Sequence, residues 1–324
     1  MKNEKVTLVT GANGFIGMKL CHSLQKKGVR VRALLRKEIE GPWDETVVAD
    51  LVKDKLPAEF FKNVETIFHL AGKAHAVNEI HSSLDEYYLL NVGGTKKLLE
   101  SAHKTGVKNF VFCSSIKAMG EGSIIPQKES DPELPITYYG KSKLAAEKLV
   151  LEAFSIPHTS VFRPAMVYGP DNPGNLDRLI KAISKGLFPP WPKIQNKRSM
   201  VHVDDVVQAA LLLADDTQAN RQVYNITDGN YYSTSQIIEW IRIEFGYPLH
   251  KFSTPLSVLK FGAKFGDLVS LFIRRKLPLT SDNLDKLISS SAFDSSKIEN
   301  DLGFRAKWSL KQAFPHIINK LNEK

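Results

Sequence analysis

The stretch that most constrains this chain is Val6-Thr7-Leu8-Val9-Thr10-Gly11-Ala12-Asn13-Gly14-Phe15-Ile16-Gly17. Residues 6–9 form an apolar run that reads as a strand, and three glycines follow at a spacing of three. Apolar residues then recur through Leu20 and Leu24 with helical period. The pattern predicts a strand, a tight glycine turn and a helix start. Glycine lets the backbone turn sharply and lets a ligand approach closely. A helix N-terminus offers unpaired N–H groups and a positive dipole to an anion. A strand, Gly11, Gly14, Gly17 and a helix in this order point to the pyrophosphate of a dinucleotide. The spacing is GxxGxxG, not the GxGxxG of many dehydrogenases.

Strands and helices alternate behind this stretch. Strands are predicted at 29–35, 46–49, 65–70, 109–113 and 159–162, and helices at 83–104 and 139–154. Strands separated by helical segments argue for an α/β fold, a Rossmann-like doubly wound parallel sheet with helices on both faces. In such sheets ligands bind beyond the carboxyl ends of the strands. From Pro164 onward, Gly169-Pro170, Pro173-Gly174 and Pro189-Pro190-Trp191-Pro192 mark irregular structure. Residues 1–164 therefore read as the dinucleotide-binding domain, completed by a strand, helix and strand at about 198–227. Residues 165–197 and 228–324 read as a smaller, mostly C-terminal substrate-binding lobe. The segment 256–273 mixes Phe, Leu and Lys. It reads as a helix packing that lobe, with a membrane-surface helix as the alternative.

At 324 residues the chain holds one large α/β unit or two domains. Its formal net charge is +9, but Lys and Arg are scattered, so a solvated basic surface suited to an anionic small substrate is expected rather than nucleic acid. Cys21 and Cys113 lie in apolar patterns and read as buried thiols. No run approaches the length needed to cross a bilayer, and Met1-Lys2-Asn3-Glu4-Lys5 leads straight into a strand. A cytoplasmic protein without stable membrane insertion is expected. His69, His75 and His81 lack ligand-like spacing, and no metal is expected. His202-Val203-Asp204-Asp205 reads as a strand end followed by carboxylates at a helix N-terminus.

Candidate chemistry sits after the fifth strand. Tyr139 and Lys143 are four residues apart, on one face of a helix. A free tyrosine, with a pKa near 10, is a poor base at neutral pH. An adjacent ammonium and a cationic nicotinamide both favour the phenolate. Lowering the pKa by about three units takes roughly 4 kcal/mol of differential interaction. Ser114 and Ser115 close the fifth strand, where they either place a hydroxyl beside Tyr139 or satisfy backbone groups.

Taken together, the glycine stretch, Ser114-Ser115 and Tyr139-Gly140-Lys141-Ser142-Lys143 resemble the extended short-chain dehydrogenase/reductase family, of the NAD-dependent epimerase/dehydratase type. The likeness extends to Asn91-Val92-Gly93-Gly94-Thr95, Arg163-Pro164-Ala165-Met166-Val167-Tyr168-Gly169-Pro170 and Arg198-Ser199-Met200-Val201-His202-Val203-Asp204-Asp205. The resemblance implies Tyr139 as general acid/base, Lys143 as holder of the nicotinamide ribose, and Ser115 as the group orienting the substrate oxygen. It implies cofactor contacts at Gly11, Asn13, Gly14, Phe15, Ile16, Gly17, Arg36, Asp50, Leu51, Leu70, Ala71, Gly72, Asn91, Tyr139, Lys143, Pro164 and Val167. Ser115, Asn175 and Arg198 are the implied substrate contacts, the last two holding a nucleotide diphosphate. A homodimer through the helices at 83–104 and 139–154 is implied as well.

Three departures narrow the family reading. Ile116 and Lys117 stand where dehydratases carry an acidic pair, so 4,6-dehydration is not expected. The second strand ends in Leu34-Leu35-Arg36-Lys37, without the carboxylate that takes the ribose hydroxyls in NAD-preferring members. Arg36 suits a 2′-phosphate, so the cofactor expectation is NADP or NAD, with NADP favoured. Met166 replaces the asparagine usual in galactose-type epimerases. The stretch Ser114 to Glu121 looks like a bacterial subgroup of surface-polysaccharide sugar-nucleotide enzymes. The expected activity is oxidation or reduction at C4 of a nucleotide-diphosphate sugar, with UDP as the expected nucleotide. A 4-keto reductase is favoured, with a UDP-hexose 4-epimerase as the first alternative and a reductase of a non-sugar ketone or aldehyde as the second.

Overall fold

The computed structural model describes residues 5–73, 83–186, 188–250, 252–273, 277 and 279–323. His75 and His81 lie outside them. The first strand, β1 (Val6–Thr10), is buried at every position. It leads through the glycine turn into α1 (Phe15–Lys26). Next come β2 (Arg30–Leu35), β3 (Glu45–Val48) and β4 (Val64–His69). Then follow α2 (Leu84–Tyr87), a π-helical stretch Tyr88–Gly94, α3 (Thr95–Thr105) and β5 (Asn109–Cys113). After these come α4 (Tyr138–Leu151), β6 (His158–Pro164) and β7 (Met166–Tyr168). The remainder runs through α5 (Asn175–Ser184), β8 (Arg198–His202), α6 (Val203–Asp215), β9 (Gln222–Ile226) and β10 (Tyr231–Tyr232). It ends in α7 (Thr234–Glu244), α8 (Leu256–Ile273), α9 (Ser281–Ile288), α10 (Ser296–Leu302) and α11 (Leu310–Asn322).

Seven strands pair in the order β3-β2-β1-β4-β5-β6-β9, all parallel. Both faces are covered, which is why the strands read as continuous apolar runs rather than alternating ones. Leu20, Cys21 and Leu24 of α1 and Val206, Ala210 and Leu213 of α6 pack on one face. Leu98, Leu99 and Ala102 of α3 and Ala146 and Val150 of α4 pack on the other. The strand order reverses direction between β1 and β4, and the crevice at that point is where ligands bind in such sheets.

Three features depart from the sequence reading. β8 does not return to the main sheet. It pairs with β7 and β10 in a separate three-stranded sheet, and only α6 and β9 rejoin the large unit. The helix expected at 83–104 is present from Leu84 to Thr105, but widens to a π-helical stretch at Tyr88–Gly94. The Thr95 hydroxyl donates to the Asn91 carbonyl at 2.6 Å, at the junction where Gly93 and Gly94 lower helix propensity and the turn widens. Finally, the segment after α9 threads between the two units. Ala292 N–H donates to Ser123 O at 3.0 Å, Gln127 N–H to Ala292 O at 3.1 Å, and Ser199 N–H to Ser291 O at 3.0 Å. His202 caps α6 and Asp205, inside that helix, accepts from the backbone N–H groups of Lys307 and Trp308, in keeping with the strand-end reading.

Candidate active site

The glycine turn is built as the sequence predicts. Gly11 has φ +68°, and a Cβ there would lie 2.7 Å from the Ala71 nitrogen. A Cβ on Gly17 would lie 2.1 Å from the Gly11 carbonyl oxygen. Neither site admits a side chain, and the turn is thereby held against the loop leaving β4. Helix α1 starts at Phe15 with Gly14 as its N-cap, with no side-chain cap and no acid in its first turn. Asn13 and Gly14 are exposed. This is a cradle for an anion, and it suits the pyrophosphate of a dinucleotide. Leu70, Ala71 and Gly72 line the neighbouring edge: a Cβ on Gly72 would come within 3.3 Å of Lys143 Nζ. The nicotinamide-side and pyrophosphate-side candidates therefore meet across one crevice.

Tyr139 lies in the first turn of α4, whose N-cap Thr137 accepts from the Gly140 N–H at 3.1 Å. The capped first turn fixes the direction of Tyr139. Its hydroxyl shares a hydrogen bond with the Ser115 side chain. Ser115 Oγ also accepts from the Lys117 N–H at 3.2 Å, capping the short 3-10 turn Ile116–Ala118. Both readings of this serine thus hold at once. Lys143 is buried, with Nζ donating to the Cys113 carbonyl at 2.7 Å and lying 4.5 Å from the Phe112 ring centroid. Burial lowers the Lys143 pKa and raises that of Tyr139 above its ordinary value. The sequence expectation that Lys143 draws Tyr139 down is not met in the protein alone, because desolvation outweighs it. The charge still needed is one a cationic nicotinamide carries. Cys113, beneath Lys143, is raised to about 11 by burial and stays a thiol.

Two buried networks hold these groups, and neither was among the sequence candidates. Glu147, one turn after Lys143, accepts from the Arg163 guanidinium and from the Ser114 hydroxyl. Arg163 also pairs with Glu133. Helix α4, the end of β5 and the end of β6 are thereby tied together behind Tyr139, Ser115 and Pro164. The signal was present in the sequence: Glu147 continues the Tyr139–Lys143 spacing by another four residues. The second network runs through His69. Ala71 N–H donates to Thr10 Oγ1 at 3.1 Å, and Thr10 Oγ1 lies 2.7 Å from His69 Nδ1. His69 Nε2 lies 3.0 Å from Thr95 Oγ1, whose proton goes to the Asn91 carbonyl. Thr95 must therefore accept from Nε2–H, and the bonds assign that tautomer. Burial lowers the His69 pKa to about 3.

Asn91 spends its side chain on this frame. Its Oδ1 accepts from Lys73 N–H at 2.7 Å, and its Nδ2 donates to Ser142 Oγ at 2.9 Å. Among the other sequence candidates, Arg36 is exposed just beyond β2. Asp50 follows β3, where the Val52 N–H holds its carboxylate below the usual range, with Arg36 among the positive charges that help. Leu51 is buried against Gly94. Pro164 ends β6, and Val167 lies half-buried in β7, paired with Val201. Asn175 is exposed at the first position of α5. Arg198 starts β8 and donates through Nη1 to the Lys286 carbonyl at 2.6 Å, at the carboxyl end of α9. Among the described residues, no three His, Cys, Asp or Glu side chains are placed to hold a metal ion, and no helix is long and apolar enough to cross a membrane.

Known proteins resemble this chain in sequence and fold. The chain is 31% identical to a UDP-glucose 4-epimerase of Vibrio cholerae, over 97% of this chain and 94% of that protein. It is 27% identical to the N-acetyl-alpha-D-glucosaminyl-diphospho-ditrans,octacis-undecaprenol 4-epimerase of Escherichia coli O157:H7, over 98% and 95%. Its fold matches the structure of MoeE5 in complex with UDP-glucuronic acid and NAD, with a TM-score of 0.77, 26% identity and coverage of 98% and 99%. Residues 7–227 match the model of the NAD dependent epimerase/dehydratase family. These likenesses over nearly the whole chain, joined to a glycine turn at a helix N-terminus, a buried Lys143 and a Ser115–Tyr139 hydroxyl pair, make this an NAD(P)-binding enzyme that belongs to the NAD dependent epimerase/dehydratase family.

Proposed function

We propose that the enzyme inverts C4 of a UDP-linked hexose or N-acetylhexosamine. The observation that carries this reading is the hydrogen bond shared by the Ser115 and Tyr139 hydroxyls, with Lys143 buried on the same helix face. A substrate hydroxyl entering between Ser115 and Tyr139 is oriented by the first and deprotonated by the second. Lys143, which donates to Cys113 O beside Gly72, is assigned to the nicotinamide ribose. A nicotinamide held by Lys143 and the glycine turn would supply hydride chemistry at C4, removal and return. Between the two transfers the 4-keto sugar turns its other face, and Tyr139 gives the proton back. The sugar then leaves with no net redox change, and the cofactor would stay bound. Asn175 and Arg198 are assigned to the diphosphate, Arg198 through its guanidinium fork.

A second reading, the 4-keto reductase, is favoured by Arg36. No carboxylate ends β2, and an exposed guanidinium in the electrostatic reach of Asp50 suits the 2′-phosphate of NADPH. In that case Tyr139 supplies the proton while C4 receives hydride, and one NADPH is consumed per turnover.

One experiment separates the two. Purified protein is incubated with NAD and UDP-glucose or UDP-N-acetylglucosamine, and the 4-epimer is measured while cofactor absorbance is followed. Epimer formation with no net cofactor consumption supports the first reading. Absence of epimer, with NADPH oxidised only when a 4-keto sugar nucleotide is added, overturns it in favour of the second. A parallel arm with the polyprenyl-diphosphate sugar named for the Escherichia coli relative distinguishes the two carriers of a sugar diphosphate. Replacing Arg36 by Ala raises the KM for NADPH and leaves that for NADH unchanged if Arg36 meets a 2′-phosphate. Equal effects on both cofactors reject that role.

A further inference from the structure

Helix α8 has two apolar faces, and only one of them is used inside the protein. Leu259 and Ala263 are buried against Leu284 of α9, with Leu279, Ile288 and Trp191 around them. The packing is close: a Cβ on Gly266 would lie 1.9 Å from the Leu279 carbonyl oxygen. The opposite face carries Val258 (55% exposed), Phe261 (76%), Phe265 (61%) and Leu268 (51%). Their spacing of three and four places them in one stripe along the helix. Phe252, at 86% exposure, precedes the helix, and Leu271, at 76%, lies near its end. The exposed Lys260 and Lys264 flank the stripe on one side. Asp267, the acid within α8, turns inward and accepts from the Ser281 N–H at 3.1 Å.

We propose that this outward face of α8 seats on the surface of an anionic lipid bilayer. A contiguous apolar stripe of this kind is costly to leave in water and marks an interaction surface. Its chemistry is that of a helix lying in a membrane interface: Phe and Leu reach into the acyl boundary while flanking lysines meet lipid phosphates. Lysine stems run along apolar surface and lift their ammonium groups to the headgroups. Charge complementarity favours lipid over a second copy of the chain. A two-fold contact through the same stripe with the helices antiparallel would bring Lys260 and Lys264 of the two copies together. The chain's net charge of +9 adds attraction to an anionic surface. The helix lies on the bilayer rather than across it, since it is not long and apolar enough to span. The proposal does not depend on which sugar is turned over. It gives the enzyme a site on the membrane, carried by the same α8–α9 pair whose carboxyl end receives Arg198.

The full chain is tested by flotation with vesicles of phosphatidylcholine alone and of phosphatidylcholine mixed with phosphatidylglycerol. The protein is expected to float with the mixed vesicles, less so as salt is raised. Phe261→Ser/Phe265→Ser should lower the partition coefficient at least tenfold. Lys260→Gln/Lys264→Gln should lower it by about fivefold per lysine on the anionic vesicles only. These residues face water, so melting temperature and turnover of a soluble sugar nucleotide should be unchanged in both variants. Failure of the unaltered protein to float, or flotation of the phenylalanine variant at the original level, overturns the proposal. So does a dimer in sedimentation that Phe261→Ser/Phe265→Ser converts to monomer, which assigns the face to a second copy.

Discussion

Glu147 and Arg163 pair inside the protein, Arg163 Nε donating to Glu147 Oε1 at 2.9 Å with each side chain only 1% exposed. The same carboxylate receives the Ser114 hydroxyl, so one buried ion pair locks helix α4 to the strands that present Ser115 and Pro164. Breaking such a pair leaves an uncompensated buried charge, which costs about 3–5 kcal/mol. Arg163→Met should therefore lower the unfolding free energy by that amount. Adding Glu147→Leu should recover a large part of the loss, because the double change removes the orphaned carboxylate. Denaturant titration of the two single and one double variant measures the coupling; additive effects would contradict it.

The Tyr139 hydroxyl should keep its proton in the cofactor-free enzyme across the neutral range. Burial raises its pKa, and Lys143 does not offset that burial. Difference absorbance between the enzyme and its Tyr139→Phe variant, titrated from pH 7 to 10, should show no phenolate without cofactor. With NAD bound, a phenolate signal should appear at lower pH. Identical titrations with and without NAD would reject this account of how Tyr139 is activated. Turnover of Tyr139→Phe should fall by about 10² to 10⁴.

His69 sets an acid limit on stability. Its pKa is about 3 in the folded protein, against an ordinary 6.5, because burial disfavours the imidazolium. A histidine held neutral binds fewer protons folded than unfolded between those values. Its contribution is complete above pH 6.5 and is lost as pH falls toward 3. At pH 4.5 the loss amounts to about 3 kcal/mol. His69→Asn should be less stable than the parent at pH 7 but should lose stability less steeply between pH 6.5 and 4. Parallel stability curves for the two proteins would exclude His69 as the group responsible.

The glycine cradle should tolerate no Cβ at Gly17, whose added carbon would meet the Gly11 carbonyl oxygen at 2.1 Å. Gly17→Ala must push α1 away from the turn, at a cost of about 1–3 kcal/mol. Cofactor affinity should fall more than stability does, since the moved helix end is the part aimed at the pyrophosphate. Calorimetric titration with NAD beside thermal melting reads both. Unchanged affinity would disconnect the cradle from the dinucleotide.

Much of this was legible because it is local. The strand, glycine turn and helix at 6–17 lie within one stretch, and Tyr139 and Lys143 share a face through helix geometry alone. Ser115 was found because it ends a strand in a fold whose sites lie at strand ends. What escaped depends on partners distant in the chain. Nothing near β8 reveals that it pairs with β7 and β10 instead of joining the main sheet. The π-helical stretch at Tyr88–Gly94 needs the Thr95 hydroxyl and the buried Asn91 amide, and helical periodicity alone conceals both. The pairing of Glu147 with Arg163, and the pK-lowering burial of His69, arise only when β4, β5, β6 and α4 are assembled. Helix α8 was read as either packing or surface-seeking; it packs with one face and exposes the other.

The threading of residues 291–294 between the two units has a consequence for how the enzyme comes into being. The loop between β5 and α4, which delivers the chain to Tyr139, is pinned at Ser123 and Gln127 by Ala292. That partner leaves the ribosome long after the seven strands of the large sheet have been made. All seven strands are thus in the nascent chain while the approach to Tyr139 is still unfastened. A nonsense mutation between β9 and Ala292 would leave all seven strands in the chain, yet remove this fastening together with Phe293, Ile298, Leu302 and Phe304 of the core that covers the sheet.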